Sequence, residues 1–224
     1  YVEMFRVVVE AAKAVDPGVI MISGALSPTG GFIKDDVVTA IDDFTFMEQQ
    51  IQAGLLEHAD CVGAHHNGYN ISPTALYDSV ENDPTAIFRG PFDNPHHSWS
   101  FRSTLDGYAQ RIAAAGEDTK LCITEFGWAV TEDLDGTPRG FEFADDNTLA
   151  EQAEWFPEAL TYMEESGFVW IAYIWNMNYG MQANWNPEND NVPYSLIGPG
   201  WLDRPAIETI REWMTAYNTR LGRS

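Results

Sequence analysis

The sequence predicts an α/β protein built on a parallel sheet. Three observations predict it. Four short apolar runs, 19–26 (VIMISGAL), 61–65 (CVGAH), 121–126 (LCITEF) and 169–175 (VWIAYIW), are nearly continuous and do not alternate. Strands covered on both faces read this way. Helical patterns alternate with the runs, the order expected of a parallel sheet. The connections are of two unequal kinds. Helix-to-strand links are short (VDPG, EHAD, AGEDTK, ESG), whereas strand-to-helix links are long, covering 27–42, 67–99, 127–147 and 176–204. An α/β protein carries its ligand site at the carboxyl ends of its strands, so the long loops mark the functional face.

Each element follows in order. Residues 2–15, rich in Val, Ala, Met and Phe, open with a helix. A helix over 44–59 has Asp42 or Asp43 as its N-cap. Phe101, Leu105, Tyr108, Ile112 and Ala115 fall on one helical stripe, ended by Gly116. Residues 149–165 form a helix with Pro157 inside it, which predicts a kink. The last helix covers 207–217, with Pro205 near its first turn. Four βα units are half of an eight-stranded barrel, which takes about 250 residues. A doubly wound open sheet is the other arrangement. No Gly-rich phosphate loop supports it, because Gly24 and Gly30–Gly31 make neither GxGxxG nor GxxxxGK[ST]. The expectation is one half-barrel domain over 1–224.

The charge balance excludes some partners. The chain carries 34 Asp and Glu against 12 Lys and Arg, a net charge of −22. Such a field repels phosphate backbones and anionic lipid, so neither nucleic acid nor membrane is expected as a partner. No apolar run reaches the roughly 18 residues of a membrane span. With 45% hydrophobic residues the chain can bury a sizeable core.

Glu125, in ITEFGW, sits at the carboxyl end of the third run. A carboxylate there suits a nucleophile or general base, or else caps a loop. His65 and His66 are adjacent on a strand and point to opposite faces, so they do not chelate together. His65 is suited to bonding a substrate hydroxyl or orienting Glu125, and His66 to a structural role. His58, His96 and His97 lack ligand spacing, so no metal and no cofactor are expected. Trp175 and Asn176 end the fourth run, where an indole face and an amide can receive a sugar. Trp170 reads as core. Ser27, Pro28, Thr29 and Gly30 follow the first run and shape the floor of the site. Strict alternation groups Glu125 with Ile123 and Leu121, puts Cys61, Gly63 and His65 inward, and puts Cys122 outward. It therefore predicts no Cys61–Cys122 disulfide unless a bulge shifts the phase.

These residues carry a resemblance. ITEFGW after a buried strand resembles the nucleophile strand of the clan A retaining glycoside hydrolases, TIM-barrel enzymes that include family 5 cellulases and family 39 xylosidases. AVDPGVIMISGAL is similar to the family's approach to its fifth strand. CVGAHHNGYN resembles the sixth, Trp175 the aromatic of the eighth, and YSLIGPGWLDRPAIETIREW the closing segment. The resemblance implies Glu125 as catalytic nucleophile, with His65, Tyr69, Trp128, Trp175 and Asn176 lining the sugar site. It also implies an acid/base Glu on a fourth strand, upstream of the helix at which this sequence begins. The chain is therefore expected to hold the fifth to eighth strands only, completed by a missing half or by a second copy in a homodimer, and to act weakly or not at all alone. Carbohydrate is the expected partner. Polysaccharide hydrolases are usually exported, which favours an extracytoplasmic location. Two other readings stand beside this one: a half barrel that binds carbohydrate without cleaving it, and a different TIM-barrel enzyme using Glu125 as a general base.

Overall fold

The computed structural model describes residues 1–81, 83–86 and 96–223. Residues 87–95 of the long 67–99 loop lie outside the described residues. Helix α1, Val2–Val15, leads into an extended segment and a hairpin of β1, Phe32–Lys34, and β2, Val37–Ala40. Asp35 and Asp36 at its tip both have positive φ, as a two-residue hairpin turn requires. Helix α2, Asp43–Gln52, precedes β3, Cys61–Gly68. Helix α3, Phe101–Ala114, precedes β4, Lys120–Trp128, and helix α4, Leu149–Ser166, precedes β5, Val169–Ile174. A short helix α5, Tyr179–Gln182, a hairpin of β6, Ile197–Gly198, and β7, Leu202–Asp203, and the last helix α6, Pro205–Arg220, complete the chain.

The helix ends follow local chemistry. Ser100 caps α3 by accepting the Ser103 N–H. Thr148 and Glu151 form a capping box on α4, and Gly167 ends that helix in the left-handed region. Helix α4 is one element through Pro157. Pro205 occupies the first turn of α6, where a missing N–H costs nothing.

The main sheet is parallel and open, in the order β3-β4-β5. It has three laddered strands where the sequence predicts four. The segment 19–26 forms a single bridge, Ile22 to Cys61, with Ser23 N–H donating to the Cys61 carbonyl at 3.2 Å. Side chains take up further polar groups there. Gly24 N–H donates to the Tyr1 hydroxyl, and Gly63 N–H donates to Ser23 Oγ. Gly63 also permits the close approach, since a Cβ there would lie 2.1 Å from the Ser23 carbonyl oxygen.

One face of the sheet is packed against helices. Val62, Ala64, Leu121, Ile123 and Phe126 form one cluster with Leu105, Tyr108 and Ile112 of α3 and Phe156, Ala159 and Met163 of α4. Each fully buried side chain of this size contributes about 1.5–3 kcal/mol. A second, loop-side cluster joins Tyr69, Trp99, Phe141, Phe143 and Tyr194, with Trp175 partly buried against it. Trp170, expected in the core, is 51% exposed on β5, which is an edge strand.

Strict alternation fails in β4, and the failure matters. Ala64 pairs with Ile123, but the next residue, His65, pairs with Glu125. Thr124 is thus an extra residue, a bulge that reverses the phase of all that follows. Leu121 and Ile123 face the helices, and Glu125 faces the other way, as Cys122 does. Gly63 pairs with Cys122, so Cys122 shares a face with Cys61. Their Cα atoms are 5.9 Å apart and the two are joined as a disulfide. The expectation that they would stay apart is therefore corrected.

Candidate active site

The ends of β3 and β4 present three polar side chains on the face away from the helices. Glu125 and His65 are paired across the strands, with His65 Nδ1 3.9 Å from Glu125 Oε2. Asn67, one period further along β3, donates from Nδ2 to the same oxygen at 3.4 Å. The Glu125 side chain is 31% exposed, so its carboxylate is held yet reachable. Asn67 was not singled out from the sequence, although alternation along GAHHNGYN puts it on the His65 face.

A recess of about 260 Å³ opens beside this group. His65, His66, Asn67 and Tyr69 of β3 and its end line it, together with Leu26, Ser27, Pro28 and Ser98. Tyr69 stacks on Trp99 with ring centroids 4.6 Å apart. Trp175 stands where the strand end of β5 meets β4, its N–H donating to the Phe126 carbonyl at 2.8 Å. Gly127 allows that approach, because a Cβ there would lie 2.1 Å from the Trp175 carbonyl oxygen. The Trp175–Asn176 peptide is cis. The Tyr194 phenol, in the same aromatic cluster, is pushed up by burial and then by the neighbouring Tyr69, Asp190 and Glu125, so it stays neutral.

Other expected site residues are placed differently. Trp128 is 1% exposed and packs among Phe101, Phe126, Trp155 and Phe156 on the helix side. It belongs to the core and does not reach the recess, which corrects its expected place. Plain alternation from Glu125 puts it there, since Trp128 has the phase of Phe126. The Asn176 amide is taken up internally. Its oxygen accepts from Tyr179 N–H and Ser195 Oγ, and its nitrogen donates to the Asn191 carbonyl. It braces the loop that carries Trp175.

His66 is buried edge-on to Phe101 and Tyr69, with Nε2 2.9 Å from the Ser98 carbonyl. Burial, the largest influence, pushes its pKa down to about 4. The unfolded chain therefore takes up this proton before the native state does. Stability should be full above about pH 6.5 and fall by about 3 kcal/mol as pH drops through 4. Urea denaturation between pH 7 and 4 should show this slope, and His66→Gln should flatten it. An unchanged slope in the variant removes His66 as the cause.

A second polar group was also missed in the sequence. Asp42 and Asp43 at the start of α2 meet His96 and His97, 54 residues later. Burial, the largest influence, would raise the Asp42 carboxyl. The Gly30 N–H, His96 and the Thr29 N–H together outweigh it and hold the group below its ordinary range.

No protein-family model and no curated protein sequence matches the chain. Solved structures do. Xylanase 10B of Thermotoga petrophila superposes with a TM-score of 0.52 at 16% identity, covering 96% of this chain and 52% of the xylanase. The chain shares the fold of the matched part of that enzyme. It spans about half of the xylanase's length. A family 5 mannosidase of Rhizomucor miehei matches with a TM-score of 0.43 at 11% identity, over 96% of this chain and 47% of the other. A family 51 arabinofuranosidase of Xanthomonas axonopodis matches with a TM-score of 0.40 at 17% identity, over 79% and 33%. The α/β architecture, the parallel sheet and its openness agree with part of a TIM barrel.

Proposed function

We propose that the chain is the nucleophile-bearing half of a retaining glycoside hydrolase barrel, with Glu125 as nucleophile. One observation carries the reading: Glu125 lies in the carboxyl-terminal half of a parallel strand, on the face away from the helices, beside His65 and Asn67. The recess with Tyr69, and Trp175 at the next strand end, supports a sugar as its ligand. In this reading the ionised Glu125 attacks the anomeric carbon, and the bond to the leaving oxygen breaks with its electron pair. Water then cleaves the glycosyl ester and regenerates the carboxylate. Asn67 orients the carboxylate by a hydrogen bond, and His65 stands beside it.

A retaining pair needs a second carboxylic acid about 5–5.5 Å away to protonate the leaving oxygen. Among the described residues, the side chains paired with Glu125 are an imidazole and an amide. The proposed activity is therefore confined to substrates whose leaving group departs without a proton, until further βα units supply the acid. A homodimer is the simplest cover for the two sheet edges.

The test is a panel of 2-fluoro glycosides with a dinitrophenolate leaving group, followed by intact and peptide mass measurement. The expected result is a single glycosyl adduct on Glu125 with one sugar preferred. Saturable sugar binding with no adduct from any member would overturn the catalytic reading and establish the carbohydrate-binding one.

A further inference from the structure

The Asp42, Asp43, His96 and His97 cluster lies on the helix side of the sheet, apart from Glu125. Each residue presents one ligand atom, and the four atoms lie within 4.8 Å of one another. The cross pairs are close: His97 Nε2 to Asp43 Oδ1 is 2.9 Å, His96 Nε2 to Asp42 Oδ2 is 3.2 Å, and His97 Nε2 to Asp42 Oδ2 is 4.0 Å. A tetrahedral zinc ion with bonds of about 2.0–2.1 Å needs ligand atoms about 3.3 Å apart. The observed separations bracket that value.

The far side of every ligand is occupied by the protein. Asp42 Oδ1 accepts the N–H groups of Thr29 and Gly30. Asp43 Oδ2 accepts the Tyr108 hydroxyl at 2.5 Å. His97 Nδ1 is 3.2 Å from Thr104 Oγ1, and His96 Nδ1 is 2.8 Å from Ser98 Oγ. Metal sites are built this way, with outer partners that set each ligand's direction. The phenyl ring of Phe44 stacks on His97 at 3.5 Å and fixes the imidazole plane. Charge agrees as well. Neither carboxylate has a Lys or Arg ion-pair partner among the described residues, so no fixed cation competes for the pair. An open groove of about 570 Å³, lined by Asp42, His96, His97 and Arg111, gives access from solvent.

We infer that Asp42, Asp43, His96 and His97 bind one transition-metal dication of the zinc class, clamping the start of α2 to the segment that enters α3. Two imidazole donors favour zinc over calcium or magnesium, which take oxygen. Four protein ligands leave no open position, so the ion is structural.

The test uses the whole chain, stripped with a chelator and titrated with zinc by calorimetry. One equivalent should bind with a Kd below about 1 μM, and the melting temperature should rise with zinc concentration. Asp42→Asn with His96→Gln, both at partly exposed residues, should weaken binding by about 100-fold or more. His58→Gln should leave the stoichiometry unchanged. X-ray absorption of the zinc-loaded wild type, which needs no variant to fold, should show four nitrogen and oxygen neighbours at about 2.0–2.1 Å with imidazole scattering. Absence of stoichiometric uptake, undiminished uptake by the double variant, or a six-coordinate oxygen shell would overturn the site.

Discussion

Glu125→Gln is expected to cut turnover on any accepted glycoside by on the order of 10⁴-fold, about 5.5 kcal/mol of barrier. The amide has the carboxylate's shape but cannot attack an anomeric carbon. The fold should be unaffected, for three reasons. The side chain is 31% exposed, its 3.9 Å contact with His65 is loose, and a glutamine oxygen can still accept from Asn67. A surface-screened pair of this kind contributes little to stability. The measurement is kcat on a dinitrophenyl glycoside, with circular dichroism and melting as controls. Full activity in the variant would remove Glu125 as nucleophile and leave the general-base and binding readings.

The Cys61–Cys122 disulfide is expected to be the largest single contributor to stability outside the core. It closes a loop with a sequence separation of 61. The chain-entropy relation gives about 4 kcal/mol for a loop of that length. Cys61→Ala with Cys122→Ala should therefore lower the urea-unfolding free energy by about that amount. Both cysteines have no exposed surface, so a reductant should act only on the opened chain. Peptide mapping without reductant should recover the cross-linked pair. Two titratable thiols in denaturant, or an unaltered unfolding free energy, would contradict the link.

Much of the fold was legible from pattern alone. The buried stripe of Phe101, Leu105, Tyr108 and Ile112 is a period-3.6 signal, and Gly116 is a stop signal whose positive φ glycine adopts without strain. Glu125 was legible because it follows a continuous apolar run. What pattern could not reveal was the bulge at Thr124, since one unpaired residue leaves composition and spacing unchanged. That single miss misassigned the faces of Leu121, Ile123 and Cys122. The first strand was overcalled for a different reason. Residues 19–26 have a strand's composition, but pairing depends on neighbours in space, and they bridge only at Ile22. The Asp42, Asp43, His96 and His97 cluster was invisible because its halves are 54 residues apart and meet only through tertiary packing.

The Asp42 carboxylate has a mechanical consequence. One of its oxygens grips the Thr29 and Gly30 N–H groups, and the other faces His96. The first contact anchors the chain just beyond Ser27 and Pro28, and the second anchors the chain just before Ser98. Both segments line the recess beside His65 and Asn67. A displacement of either segment is thus transmitted to the other through three atoms of one side chain. The two segments that line the recess are thereby tied together by a residue that does not itself line it.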